Sequence, residues 1–127
     1  MRVAVSSEGH SLESKVGHKL GTSPYLIIID LETMAFETLE NHGSFRVSGM
    51  QAVALAIGQK VNAVLTGYCS PAAQSYLGEY NIEVITGMEG TISEVVDQYK
   101  RTKRSRRDSS MLKPGGIVRQ DVSQAIS

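Results

Sequence analysis

"NAVLTGYCSPAAQSYL", residues 62–77, and "IEVITGMEGTISEVV", residues 82–96, are written to one plan. Each opens on a short apolar run, passes through Thr-Gly and a brief loop, and ends in a helical pattern. Ser70 followed by Pro71 supplies an N-cap and a first helical residue. Thr91 with Glu94 three positions later forms a capping box. Helices placed between successive strands imply right-handed parallel crossovers, so this half of the chain predicts parallel strands covered by helices.

The same reading extends toward the N-terminus. "RVSGMQAVALAIGQK" (46–60) places Met50, Val53, Ala54 and Ile57 at helical spacing, and Ser48 with Gln51 marks a start near Ser48. Tyr25–Leu31 is a continuous apolar run suited to a strand buried on both faces. Ala35–Leu39 reads as its hairpin partner, through a turn without glycine. Arg2–Ser6 is a first strand. Together these elements predict an α/β domain with a five-stranded mixed sheet, antiparallel early and parallel late.

A chain of 127 residues fits one domain with a real core. No apolar run approaches the length of a membrane span, and the N-terminus lacks a signal core, so a cytoplasmic protein is expected. The single cysteine, Cys69, excludes an internal disulfide and cannot supply four thiolates to an iron–sulfur cluster; it reads as a small buried apolar residue. Basic and acidic residues balance at 13 each, but unevenly. Residues 1–99 hold five basic and eleven acidic residues, and residues 100–127 hold eight basic and two acidic. The sequence therefore divides into an α/β body, residues 1–101, and a basic tail, residues 102–127, which shows no helical period and reads as flexible.

The segment "SSEGHSLESKVGHKLGTSPY" (6–25) is much longer than strand connections usually are. In an open α/β sheet, loops after the carboxyl ends of strands gather on one edge, where ligands bind. Here those loops are Ser6–Gly9, Gly67–Ser70 and Gly87–Gly90. Their glycines let backbone N–H groups approach a ligand, and two of the loops feed helix N-termini that favour anions. The long loop adds His10, Lys15, His18 and Lys19. The pattern points to a shallow anion site, although glycines and N-caps after strands are also ordinary turn chemistry. None of the loops is a P-loop or a G-x-G-x-x-G fingerprint. His18 lies in a polar loop, where it is either a ligand or an exposed bystander; His10 and His42 read as bystanders. Widely spaced histidines make no zinc pattern. A catalytic reading has little support. No G-x-S-x-G surrounds Ser6 or Ser7, and the first strand carries serine where a magnesium-binding aspartate would be needed.

Taken together, "RVAVSSEG", "VGHKLGTSPYLIIIDLET", "SGMQAVALAIGQKVNAVLTG", "SPAA" and "IEVITGMEGTISEVV" resemble the dinitrogenase iron–molybdenum cofactor-binding family, in order, over residues 1–100. The resemblance implies a ribonuclease-H-like three-layer α/β/α fold without nuclease activity. It also implies a non-enzymatic role in binding or carrying an anionic molybdenum-containing metal–sulfur cluster, Fe-Mo-S or Mo-Cu-S, in cofactor assembly or delivery. A cofactor-assembly or molybdenum-enzyme protein would be the partner. By position, His18, Gly21, Pro24 and Tyr25 keep the family's loop pattern, with Leu20 for its phenylalanine and Thr22 for its arginine. Gly67 and Pro71 match its "G-x-x-G-P" loop, with Ser70 for the second glycine. Arg46 stands where many members have histidine, and Cys69 at a plain apolar position. The implied binding set is Ser6, Gly9, His18, Lys19, Gly21, Arg46, Gly67, Ser70, Gly87 and Gly90, with His18 as the metal ligand.

The alternative is a nucleic-acid or acidic-protein binding module acting through the basic tail. The tail has no aromatic residue to stack bases, which argues against sequence-specific binding of single strands. A small hydrolase at the same edge would be a third class, for which no motif speaks.

Overall fold

The central strand is β1 (Arg2–Ser7), and the rest of the sheet is built outward from it in the order β3-β2-β1-β4-β5. The computed structural model describes residues 1–41 and 50–112, with side chains of the last helix described to Lys103. On one side, β2 (Tyr25–Asp30) pairs antiparallel with β1, Val3 opposite Ile29, and β3 (Phe36–Glu40) continues the hairpin. On the other, β4 (Ala63–Leu65) and β5 (Glu83–Ile85) add parallel to β1. The β2–β3 turn has no glycine, and Met34 takes the left-handed conformation there at φ 63°.

Side chains alternate across the sheet, as the two-residue period of a strand requires. Ala4, Leu26, Ile28 and Val64 pack in one cluster with α1 (Met50–Gly58) and α2 (Pro71–Glu79). Val3, Val5, Ile27, Ile29, Ala63 and Leu65 are buried on the other face, and Ile92, Val95 and Val96 are buried in the opening turns of α3 (Ile92–Leu112). The five-stranded mixed sheet and three-layer α/β/α arrangement are those expected from the sequence.

Three details differ from the sequence reading or extend it. The buried face of α1 is Ala52, Val53 and Ala56, while Ala54 is exposed. Of the face expected from the spacing, Met50, Val53 and Ile57 do lie in or against the core cluster, and Ala54 alone does not. The second is that α3 does not end at residue 101 but runs to Leu112, so residues 102–112, read as non-helical, are helix. Lysine and arginine are good helix formers, and a helix of charged residues has no apolar period to detect. Third, the capping position Ser48 and the candidate Arg46 lie outside the described residues, as do His42 and residues 113–127.

The chain divides by contacts into Met1–Val96 and Asp97–Ser127. Within the second unit, Arg101 pairs with Asp97 at 3.0 Å, and Lys103 Nζ lies 5.8 Å from the centre of the Tyr99 ring. No helix among the described residues is long and apolar enough to cross a membrane.

Candidate functional site

The long connection from β1 to β2 is a strap stitched across strand ends. Ser7 pairs with Val16, Lys15 with Thr91, and Lys19 with Tyr68 in isolated bridges. Gly17 N–H donates to Ser6 O at 2.7 Å, Leu20 N–H to Tyr68 O at 2.9 Å, and Val16 N–H to Gly90 O at 2.9 Å. The strap thus joins the carboxyl ends of β1 and β4 to the entry of α3. Its length is what spanning these three ends requires.

At its centre the strap lies against Gly67. A Cβ there would sit 2.3 Å from the His18 carbonyl oxygen, so only glycine permits the approach. Gly87 N–H in turn donates to Gly67 O at 2.9 Å. Gly17, His18, Lys19, Gly67, Tyr68 and Gly87 therefore form one contiguous run, and Ser70 opens α2 two residues beyond Tyr68. Ser70 Oγ accepts the Ala73 N–H at 3.2 Å, and Pro71 has no N–H to place. The Ala72 N–H has no acceptor among the described residues and remains an open donor of that helix end.

Other candidate residues are placed elsewhere. Ser6 is fully buried; its hydroxyl donates to Gly17 O at 3.0 Å and lies 2.7 Å from Thr66 Oγ1. It supports the strap from below and has no surface to offer a ligand. Gly9 sits in the turn at the far end of the strap, where its N–H donates to Ser7 Oγ at 3.1 Å. Gly21 lies in the turn beyond Lys19. Gly90, with φ 115°, faces the carboxylate of Glu94. The N-terminus of α3 is already filled by the chain itself. Thr91 N–H donates to Glu94 Oε1 at 2.9 Å and Glu94 N–H to Thr91 Oγ1 at 3.2 Å, while Ile92 and Ser93 donate to Ser14 O and Leu12 O. Of the two helix ends expected to favour an anion, only that of α2 is open.

Charge divides the edge in the same way. Glu8, Glu13, Glu89 and Glu94 are exposed on the segments around Lys15 and the start of α3. His18 and Lys19 are exposed on the half that meets Gly67 and α2, and neither side chain has a hydrogen-bond or ion-pair partner among the described residues. His10 is not part of this group; its ring packs edge-on against Tyr25 at 4.3 Å between centroids. Cys69 is buried, and burial pushes its thiol above the ordinary range, away from the thiolate a metal would need. No three His, Cys, Asp or Glu side chains among the described residues converge to hold a metal ion. The donors present, backbone N–H, imidazole and ammonium, suit an anionic group held by hydrogen bonds and charge.

Two features escaped the sequence reading. Tyr68 is 50% exposed beside Lys19, at the rim of the edge. Beneath the edge lies a buried polar layer of Ser6, Ser7, Ser23, Asn41 and Thr66. The recurring Thr-Gly pair hinted at Thr66, but its partner Ser6 is 60 residues away.

The family model described as dinitrogenase iron-molybdenum cofactor matches residues 1–102. No curated protein matches the chain significantly. Among solved structures, the apo form of the orange protein from Desulfovibrio gigas is 26% identical with a TM-score of 0.72, covering 80% of this chain and 88% of its own. A NifB-like protein from Thermotoga is 27% identical with a TM-score of 0.66, covering 79% of this chain and 87% of its own. A dinitrogenase-like protein from Methanocaldococcus jannaschii, at 17% identity and TM-score 0.60 over 81% of this chain and 90% of its own, shares the fold.

Proposed function

The chain belongs to the dinitrogenase iron-molybdenum cofactor family, and from that premise we propose that it binds and carries an anionic molybdenum-containing metal–sulfur cluster. The cargo sits on the half of the edge formed by His18, Lys19, Gly67 and the N-terminus of α2. The observation that carries this reading is the close approach of the His18–Lys19 backbone to Gly67, which sets two exposed cationic or donor side chains beside an open helix end. His18 is the ligand or hydrogen-bond donor, and Lys19 is the charge partner. The chain holds its cargo without transforming it and passes it to a cofactor-assembly or molybdenum-enzyme protein. An anion held by N–H donors and one imidazole can be released without displacing a set of thiolates.

Titration with tetrathiomolybdate, with and without copper or iron, tests the proposal. It expects a charge-transfer band and amide shifts confined to residues 17–20, 67–72 and 87. Loss of a charge-assisted contact costs about 1.5–3 kcal/mol, so His18→Ala is expected to weaken binding about ten-fold or more. Absence of the band, with shifts away from these residues, rejects the carrier role. Unchanged affinity in His18→Ala rejects the ligand assignment alone.

A further inference from the structure

The buried layer under the strap has a common pattern. Ser6 Oγ donates to Gly17 O at 3.0 Å, Ser23 Oγ to Lys19 O at 2.5 Å, and Asn41 Nδ2 to Leu20 O at 3.1 Å and to Ser23 O at 2.8 Å. Outside that layer, the exposed Gln74 donates its Nε2–H to Cys69 O at 2.9 Å on the neighbouring loop. Ser6, Ser23 and Asn41 are buried, so the carbonyl oxygens they hold are bonded to the interior. A carbonyl is the negative end of the peptide dipole, so a wall whose carbonyls are drawn inward presents less negative potential to an anion outside. Asn41 contributes most to this, with two carbonyls held by one amide and its own N–H donated to Pro24 O at 2.9 Å.

Asn41 also carries an unusual cost. It is fully buried, and its Oδ1 has no hydrogen-bond partner among the described residues. Buried polar atoms are nearly always satisfied, so an orphaned acceptor calls for an explanation. The side chain's chemistry supplies one. Asparagine is the shortest side chain with two N–H donors on one nitrogen, and the acceptor comes with them. A serine could hold one of the two carbonyls but not both.

On this basis, and resting on the anion-binding reading above, we infer that Asn41 is the positioning residue of the edge: by drawing the Leu20 and Ser23 carbonyls inward it holds the His18–Lys19 turn in the form that accepts an anionic cargo. It touches no cargo itself; it acts through Lys19 and His18.

A double-mutant cycle on the full chain tests this, with tetrathiomolybdate as the probe and the parent, Asn41→Ala, Lys19→Ala and the double variant compared at a temperature where each is folded by near-ultraviolet circular dichroism. Asn41→Ala is expected to weaken binding about ten-fold, the loss of contacts of this kind. The double variant is expected to bind about as well as the weaker single variant, because residues acting through one another are not additive. The amide shifts that the probe induces at His18 and Lys19 should shrink in Asn41→Ala. A purely structural role would lower the unfolding midpoint, leave the folded protein's affinity unchanged and give additive effects, and that result overturns the inference. If Asn41→Ala does not fold, Ser23→Ala takes its place in the cycle, since it frees the Lys19 carbonyl of the same turn. A parent that binds nothing overturns the cluster reading and this inference with it; a parent that binds while the variant binds equally overturns this inference alone.

Discussion

Gly67 and Gly87 are joined by one hydrogen bond, yet their substitution by alanine should have different consequences for binding. At Gly67 the new methyl meets the backbone of His18, which cannot rotate aside. Overpacking of this kind costs about 1–3 kcal/mol, and relief requires the strap to lift from β4. At Gly87 a Cβ would meet nothing within 4 Å, so the cost is only that of a side chain at φ 76°, about 1–2 kcal/mol. Both variants should unfold at lower urea. Only Gly67→Ala should also lose affinity for tetrathiomolybdate and deprotect the Leu20 amide, whose acceptor is Tyr68 O. Equal affinities in the two variants would remove the strap–Gly67 contact from the account of the site. Cys69 makes a second contrast at this scale. Its buried, pushed-up thiol should react with a disulfide reagent only on unfolding, and Cys69→Ala should keep cargo binding. The sequence already made Cys69 an apolar residue, because a single cysteine can form no internal disulfide and cannot supply the thiolates of a cluster. It could not disclose the Ser6–Thr66 and Asn41–Leu20 contacts, which depend on residues brought together only by folding.

Individual elements were legible where their signals are local. The Ser70–Pro71 start of α2 and the Thr91–Glu94 box of α3 are read from three or four adjacent residues, and both form as expected. Removing the first cap by Ser70→Ala should cost about 0.5–2 kcal/mol of stability. It should also weaken cargo binding, since the same turn bears the open Ala72 N–H. Glu94→Gln should leave binding unchanged, because the start of α3 is filled by Thr91, Ser14 and Leu12. Urea unfolding and probe titration on the two variants check both statements. The long α3 is not legible beyond residue 101 because its charged residues carry helix propensity without an apolar period. The β2–β3 turn offers a pH test. The Glu32 N–H donated to Asp30 Oδ1 at 2.9 Å holds that carboxyl below its ordinary range. A group with a lowered folded pKa contributes stability above its unfolded pKa, near about pH 4, and that contribution is lost as pH falls through the folded value. Asp30→Asn keeps an acceptor without a titrating group. It should flatten that part of the acid limb of the urea midpoint, and an unchanged acid limb would show the bond is absent in solution.

At the scale of the whole molecule, zero net charge conceals an acidic body and a basic C-terminal stretch that lies almost wholly past the family match. An anionic cargo approaching the body alone would meet net repulsion. Lys103, Arg104, Arg106 and Arg107 lie on the helical part of the basic stretch, and their charge offsets that repulsion wherever in the molecule it is carried, provided the ionic strength is low enough for it to be felt. Replacing the four by glutamine in the full chain keeps helix propensity and changes the net charge by four. The association rate of tetrathiomolybdate should then fall several-fold at low salt. The difference should vanish near 1 M salt, where the screening length is about 3 Å, while dissociation, set by short contacts at His18 and Lys19, stays as in the parent. The same variant separates the two readings that the charge pattern first allowed. If the basic stretch serves a nucleic acid or an acidic protein instead, the parent should bind duplex DNA or the acidic partner with a steep salt dependence that the variant loses, and the rate of cargo association should be the same in both.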